Sequence, residues 1–103
     1  MISKEVQTMI PKMRQFFGSQ PIKKAWLFGS CSRGEETEDS DVDILVTLDK
    51  SEPIGFKFFA IVDGIEELLG RKVDLVSDDA LLPFARKSVD HDKILVYERK
   101  QNS

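Results

Sequence analysis

A chain of 103 residues with a formal charge of −3 is long enough for one small domain and carries too little positive charge for a broad nucleic-acid-binding face. Apolar residues make up 41% and charged residues 32%, a soluble-globular balance, and no apolar run approaches the ~20 residues of a membrane span. A single cysteine allows no intrachain disulfide, and the start Met1-Ile2-Ser3-Lys4-Glu5 lacks a secretory core, so the expected compartment is the cytoplasm.

In chain order, Ile2, Val6, Met9, Ile10, Met13, Phe16 and Phe17 recur at helical spacing. Pro11 leaves two versions of this helix, one kinked at the proline and one whose regular part begins there. Gly18-Ser19-Gln20-Pro21 stops it. Residues 22–28 read as a strand, followed by a short helix from Ser30. Residues 42–48 form a second strand, with Val42, Ile44, Val46 and Leu48 facing away from the neighbouring aspartates. After the Ser51-Glu52-Pro53 loop a helix is predicted over about 55–69, stopped by Gly70. A third strand covers 72–77. A helix over about 80–88 follows Asp78-Asp79, which can cap it. Residues 94–98 read as a last short strand and 99–103 as a frayed tail. The pattern predicts a single α/β domain over residues 1–103, with a small mixed sheet packed by helices.

In the 55–69 helix, Ile54, Phe58, Ile61, Val62, Ile65, Leu68 and Leu69 make one core-facing stripe. Phe56 and Phe59 fall off it, and either meet a partner or are covered by a neighbouring loop. His91 lies in Asp90-His91-Asp92 and reads as a surface turn residue. With one His and one Cys there is neither a zinc set nor a cysteine–histidine pair. Cys31 reads as a space-filler, Trp26 and Tyr97 as core or semi-core. The basic clusters Lys23-Lys24 and Arg71-Lys72 are too small to make a nucleic-acid face.

The chemistry concentrates in Leu27-Phe28-Gly29-Ser30-Cys31-Ser32-Arg33-Gly34 and, ten residues after Ser30, Ser40-Asp41-Val42-Asp43. Residues i and i+2 of a strand point the same way, about 6–7 Å apart, so Asp41 and Asp43 project in parallel. Two carboxylates ~4 Å apart repel by ~4 kcal/mol at an effective dielectric of 20. A hard cation removes that repulsion, and magnesium is commonly held by one or two carboxylates plus substrate phosphates. Gly29, with no Cβ, lets the backbone approach a phosphate, and Ser30 offers a hydroxyl at a helix start. A calcium loop over Asp39, Asp41 and Asp43 fails, because Ile44 stands where Gly is needed and Lys50 where Glu is needed. A solvated acidic loop accounts for Glu35, Glu36, Glu38 and Asp39, but not for Asp43 inside an apolar strand. Asp74 interrupts the apolar run of Val73, Leu75 and Val76. It needs a partner there, either a metal or a salt bridge to Arg71 or Lys72.

The spacing Gly29-Ser30-x10-Asp41-x-Asp43 resembles the signature of the nucleotidyltransferase superfamily related to DNA polymerase beta. With Arg33-Gly34 and Leu69-Gly70-Arg71-Lys72-Val73-Asp74-Leu75-Val76, the chain is similar to minimal nucleotidyltransferases over roughly residues 22–98. The resemblance implies that Gly29 and Ser30 bind the β- and γ-phosphates of ATP, that Arg33 contacts phosphate, and that Asp41 and Asp43 hold magnesium. Asp74 would be the third catalytic carboxylate, a ligand of a second ion and a base for the incoming hydroxyl. Cys31 departs from the arginine that many relatives carry. Two ions would stabilise the attacking and leaving oxygens of nucleotidyl transfer. Larger relatives carry an acceptor-binding domain for which this chain has no room. Minimal members are paired with helical HEPN proteins in toxin–antitoxin systems, where AMP is transferred to a tyrosine of the toxin. A HEPN partner is therefore the implied acceptor, and Phe56 and Phe59, if no loop covers them, are the candidate contact for it. A non-catalytic module inhibiting such a partner by contact, and transfer to a small molecule, are the other two readings.

Overall fold

The computed structural model of the chain describes residues 1–100. Its first helix, α1 (Lys4–Phe17), starts where Ser3 accepts the amide hydrogen of Val6 through its hydroxyl at 3.2 Å. Pro11 lies inside α1, so the version that begins at the proline does not hold. Val6, Met9, Met13 and Phe17 bury one face of this helix, the stripe that the spacing predicts.

Four strands make one sheet: β1 (Ile22–Phe28), β2 (Val42–Leu48), β3 (Val73–Ser77) and β4 (Ile94–Glu98), in the order β3-β2-β1-β4. The central pair β1/β2 and the pair β1/β4 are antiparallel, while β2/β3 is parallel. A parallel neighbour requires a crossover, which α3 (Lys57–Leu69) supplies. A one-turn α2 (Ser30–Arg33) follows β1. A 3₁₀ turn (Asp78–Ala80) and α4 (Pro83–Asp92) link β3 to β4.

The main core joins Val6, Met13 and Phe17 of α1, Ile61 and Ile65 of α3, and the sheet residues Ile22, Leu27, Val42, Ile44 and Val46. Gly64 permits close approach of the two helices, because a Cβ there would stand 2.7 Å from the Phe16 ring. On the other face of the sheet Leu45 is also buried, and Lys93 sits 5.1 Å above the Trp26 ring. Tyr97 packs against Phe17 with ring centroids 6.0 Å apart. Cys31 is buried, and desolvation by burial raises its thiol pKa.

Three expectations change. The last helix begins at Pro83, which occupies its first turn, and no side chain caps it. Asp78 and Asp79 instead form the 3₁₀ turn. A proline pre-set for the first helical position outweighs the two possible caps. Arg99 does not fray: its amide donates to Lys23 O at 2.8 Å, and its guanidinium meets Asp49 at 2.6 Å. That pairing holds the Asp49 carboxyl well below the usual range. The rest of the predicted tail beyond Lys100 lies outside the described residues. Leu68, placed on the core stripe by its spacing, is 42% exposed, while Leu69 beside it packs against the core.

Candidate active site

The sheet has a chemical end and a plain end. Phe28 is the last residue of β1 and stands opposite Asp43, which in turn stands beside Asp74 of β3. Antiparallel β1/β2 and parallel β2/β3 thus bring the turn after Phe28 and the two carboxylates to one edge. Asp41 lies just before β2 and is exposed, Asp43 is half-buried, and Asp74 is exposed.

Asp43 carries the electrostatic signature. Its pKa rises from 3.8 to about 6, chiefly because burial strips water from it, and further because Asp74 and Asp41 repel its charge. Arg33 opposes the rise. The salt bridge that would make Asp74 purely structural is not formed to Arg71, whose guanidinium is committed to Glu5, Thr37 and Ser40. Among the described residues no three His, Cys, Asp or Glu side chains form a ready-made metal cage. The donors at this edge are carboxylate oxygens, the set a hard cation such as magnesium takes. Their mutual repulsion at Asp43 is what such a cation would relieve, so the residues present fit the ion.

The Gly29 turn has a reason that spacing alone does not show. Gly29 takes φ 72° and ψ −154°, a region open essentially to glycine alone. A Cβ there would lie 3.1 Å from Asp43 Cγ and closer still to Oδ2. The missing side chain therefore makes room for the carboxylate of β2, whatever it also offers a phosphate. α2 is a single turn, too short for a substantial helix dipole, so the anion-attracting argument at Ser30 rests on its hydroxyl and the turn amides. Ser32, which sequence reasoning passed over, fastens this turn: its hydroxyl donates to Gly29 O at 2.7 Å.

Arg33 is engaged before any phosphate arrives. It donates to Glu35 at 2.7 Å and pairs with Asp92 at the end of α4. His91 is 3.3 Å from the same Asp92 and exposed. It closes a helix, where the sequence suggests a turn. Phe56 and Phe59 are 89% and 66% exposed, so no loop covers them. They lie at the start of α3, which leaves the far end of β2, and so stand away from the aspartates.

A family model for the nucleotidyltransferase domain matches residues 7–101. A protein adenylyltransferase of Thermococcus cleftensis is 39% identical over 85 residues, covering 82% of this chain and 82% of that protein. A solved structure described as a candidate minimal nucleotidyltransferase superposes with a TM-score of 0.76 at 29% identity, covering 91% of this chain and 95% of that one. A chain from the complex of a tri-AMPylated Shewanella oneidensis HEPN toxin with its MNT antitoxin superposes with a TM-score of 0.67, covering 89% and 71%. At 18% identity that last likeness speaks for the fold alone.

Proposed function

Because the chain belongs to the nucleotidyltransferase domain family, we propose that it transfers AMP from magnesium-bound ATP to a tyrosine hydroxyl of a HEPN-type partner in the cytoplasm, and so acts as an antitoxin. One observation carries the reading: Asp43 and Asp74 stand side by side at one end of the sheet, directly beside the Gly29 turn, and burial, with added repulsion from Asp74 and Asp41, raises the Asp43 pKa. Two comparisons support the choice of acceptor. The Thermococcus relative is named a protein adenylyltransferase, and a neighbour in fold comes from a complex with an AMP-bearing HEPN toxin.

The roles follow from position. Asp41, Asp43 and Asp74 would hold the metal, probed as one or two magnesium ions. Held there, such an ion would supply neutralisation of phosphate charge and polarisation of the phosphorus–oxygen bonds. Gly29 and Ser30 receive the β- and γ-phosphates, with Arg33 turning from Asp92 to the same phosphates. The acceptor hydroxyl oxygen bonds to the α-phosphorus as the bond to pyrophosphate breaks. Asp74, open to solvent, takes the hydroxyl proton and passes it to water. The chain works mainly by holding reactants in line and balancing their charge. The single domain takes in α1, whose Val6, Met13 and Phe17 join the core, together with residues 22–98, and the acceptor comes from another polypeptide.

The test is an intact-mass spectrum of the small protein that co-purifies from the native host, with wild type and with Asp41→Asn/Asp43→Asn. A partner heavier by AMP units only with wild type supports transfer. The exposed Phe56 and Phe59 serve this reading and equally a second one, inhibition by contact alone. A partner bound but unmodified in both samples selects that reading.

A further inference from the structure

Arg71 reaches across the entrance of the sheet to the acidic loop before β2. Its Nη2 donates to Ser40 O at 2.7 Å and Thr37 O at 3.0 Å, and its Nη1 meets Glu5 of α1 at 2.9 Å. The Arg71 side chain is only 13% exposed and its bond to Ser40 O is partly buried, whereas Glu5 is 60% exposed, so the loop contact is the charge-assisted bond best shielded from water. The loop is itself a closed turn: Ser40 N donates to Thr37 O at 3.1 Å and Thr37 N to Ser40 Oγ at 2.9 Å. Both carbonyls of that turn therefore converge on one guanidinium nitrogen. On the other side of Asp41, Val42 N donates to Lys72 O at 2.9 Å. The peptide groups flanking Asp41 are thus fixed by two consecutive residues, 71 and 72, and those residues run straight into Asp74. The planar guanidinium can span the two carbonyls and Glu5 together, which a point-charge ammonium cannot.

We propose that Arg71 is a positioning residue that sets the Asp41 carboxylate in register with Asp43 and Asp74 for binding a divalent cation. This rests on the reading of the three aspartates as metal ligands. Arg71 touches neither metal nor substrate. It makes the loop that bears one ligand and the strand that bears another move as one body, while its positive charge offsets the acidic turn. The Glu5 contact is separable, because it ties the same guanidinium to α1 without touching the loop.

Two measurements on the full chain test this, with Arg71→Gln, Arg71→Lys, Glu5→Gln and Asp43→Asn as variants. The first is amide hydrogen exchange. In Arg71→Gln, Ser40 and Val42 should exchange roughly tenfold faster or more, while central β1 and β2 amides keep wild-type protection. The second is binding of manganese alone, and of manganese with a non-hydrolysable ATP analogue, read by electron paramagnetic resonance. Arg71→Gln should weaken manganese by roughly ten- to a hundredfold, the range for partners that orient metal ligands. Arg71→Lys should recover part of it, and Glu5→Gln should match wild type. Unchanged exchange at Ser40 and Val42 overturns the proposal, because the loop is then not held by Arg71. Faster exchange with unchanged manganese affinity also overturns it, leaving Arg71 a structural tie. If wild type and Asp43→Asn both fail to bind manganese, the metal-ligand reading falls and the positioning role with it. That outcome is distinct from wild type and Arg71→Gln binding equally, which removes only the role of Arg71.

Discussion

Replacing Asp43 with asparagine should make the metal-free protein more stable, and the gain should grow with pH. The folded pKa of Asp43 lies above its ordinary value, so ionising the residue works against folding. Below 3.8 the folded and unfolded chains both hold the proton and the residue costs nothing; between 3.8 and about 6 the penalty builds; above about 6 it is complete. A rise from 3.8 to about 6 corresponds to about 3 kcal/mol at about 1.36 kcal/mol per pKa unit. Asp43 is only half-buried, and solvent screening brings the figure to about 1–2 kcal/mol. Asparagine keeps the shape beside Gly29 and removes the charge. Urea denaturation in chelator at pH 8 and pH 4 reads the difference. The variant should be the more stable by about 1–2 kcal/mol at pH 8 and nearly level at pH 4, a melting shift of about 4–8 °C per kcal/mol for a domain of this size. An asparagine variant that is equal to or weaker than wild type at pH 8 would refute the account of Asp43 as a strained charge.

Four further outcomes follow from the same coordinates. Manganese affinity should drop by up to about tenfold per pH unit below about 6, as a proton displaces the ion from Asp43; a flat titration from pH 7 to pH 5 would remove Asp43 from the ligand set. Gly29→Ala should cost about 1–3 kcal/mol from backbone strain alone and also push Asp43 aside, which melting curves and manganese binding read separately. Asp92→Asn removes one of the two carboxylates that hold Arg33, leaving Glu35, and should lower the KM for ATP by up to about fivefold, the scale of a partly exposed ion pair; a higher KM would mean that Asp92 aims Arg33 at the nucleotide. Ile61→Ala should cost about 2–5 kcal/mol, since Ile61 is wholly buried between α3 and the sheet, and the urea midpoint should fall with the slope unchanged.

Much of this architecture is legible in the sequence. The bounds of β1, β2 and β4 follow from apolar residues between turn-forming ones, because strand alternation is local and the breakers are unambiguous. Asp43 and Asp74 stand out for a similar reason: each is a charge inside an apolar run. What the sequence hides is long-range partnership. Arg99 looks like tail until Asp49, fifty residues away, is seen beside it. Arg71 looks like half of a small basic cluster until its guanidinium is traced to the loop before Asp41. Gly29 suggests a turn, but only the cross-strand register reveals that its missing Cβ accommodates a carboxylate from the next strand. The start of α4 was obscured by competing local signals, two aspartates suited to capping and a proline suited to the first turn.

The direction in which the strands run has a consequence for how this domain tolerates change. β2 and β3 both leave the aspartates and finish at the opposite rim, where the connection through Ser51-Glu52-Pro53 and the exposed Phe56 and Phe59 are found. That rim is free to vary, because about five residues of β2, roughly 17 Å, separate its end from Asp43. A peptide tag or fluorophore grafted between Glu52 and Pro53 should leave the aspartate edge undisturbed. Lineages carrying this scaffold could remodel the distant rim, and with it the proteins it meets, without renegotiating the residues that handle charge.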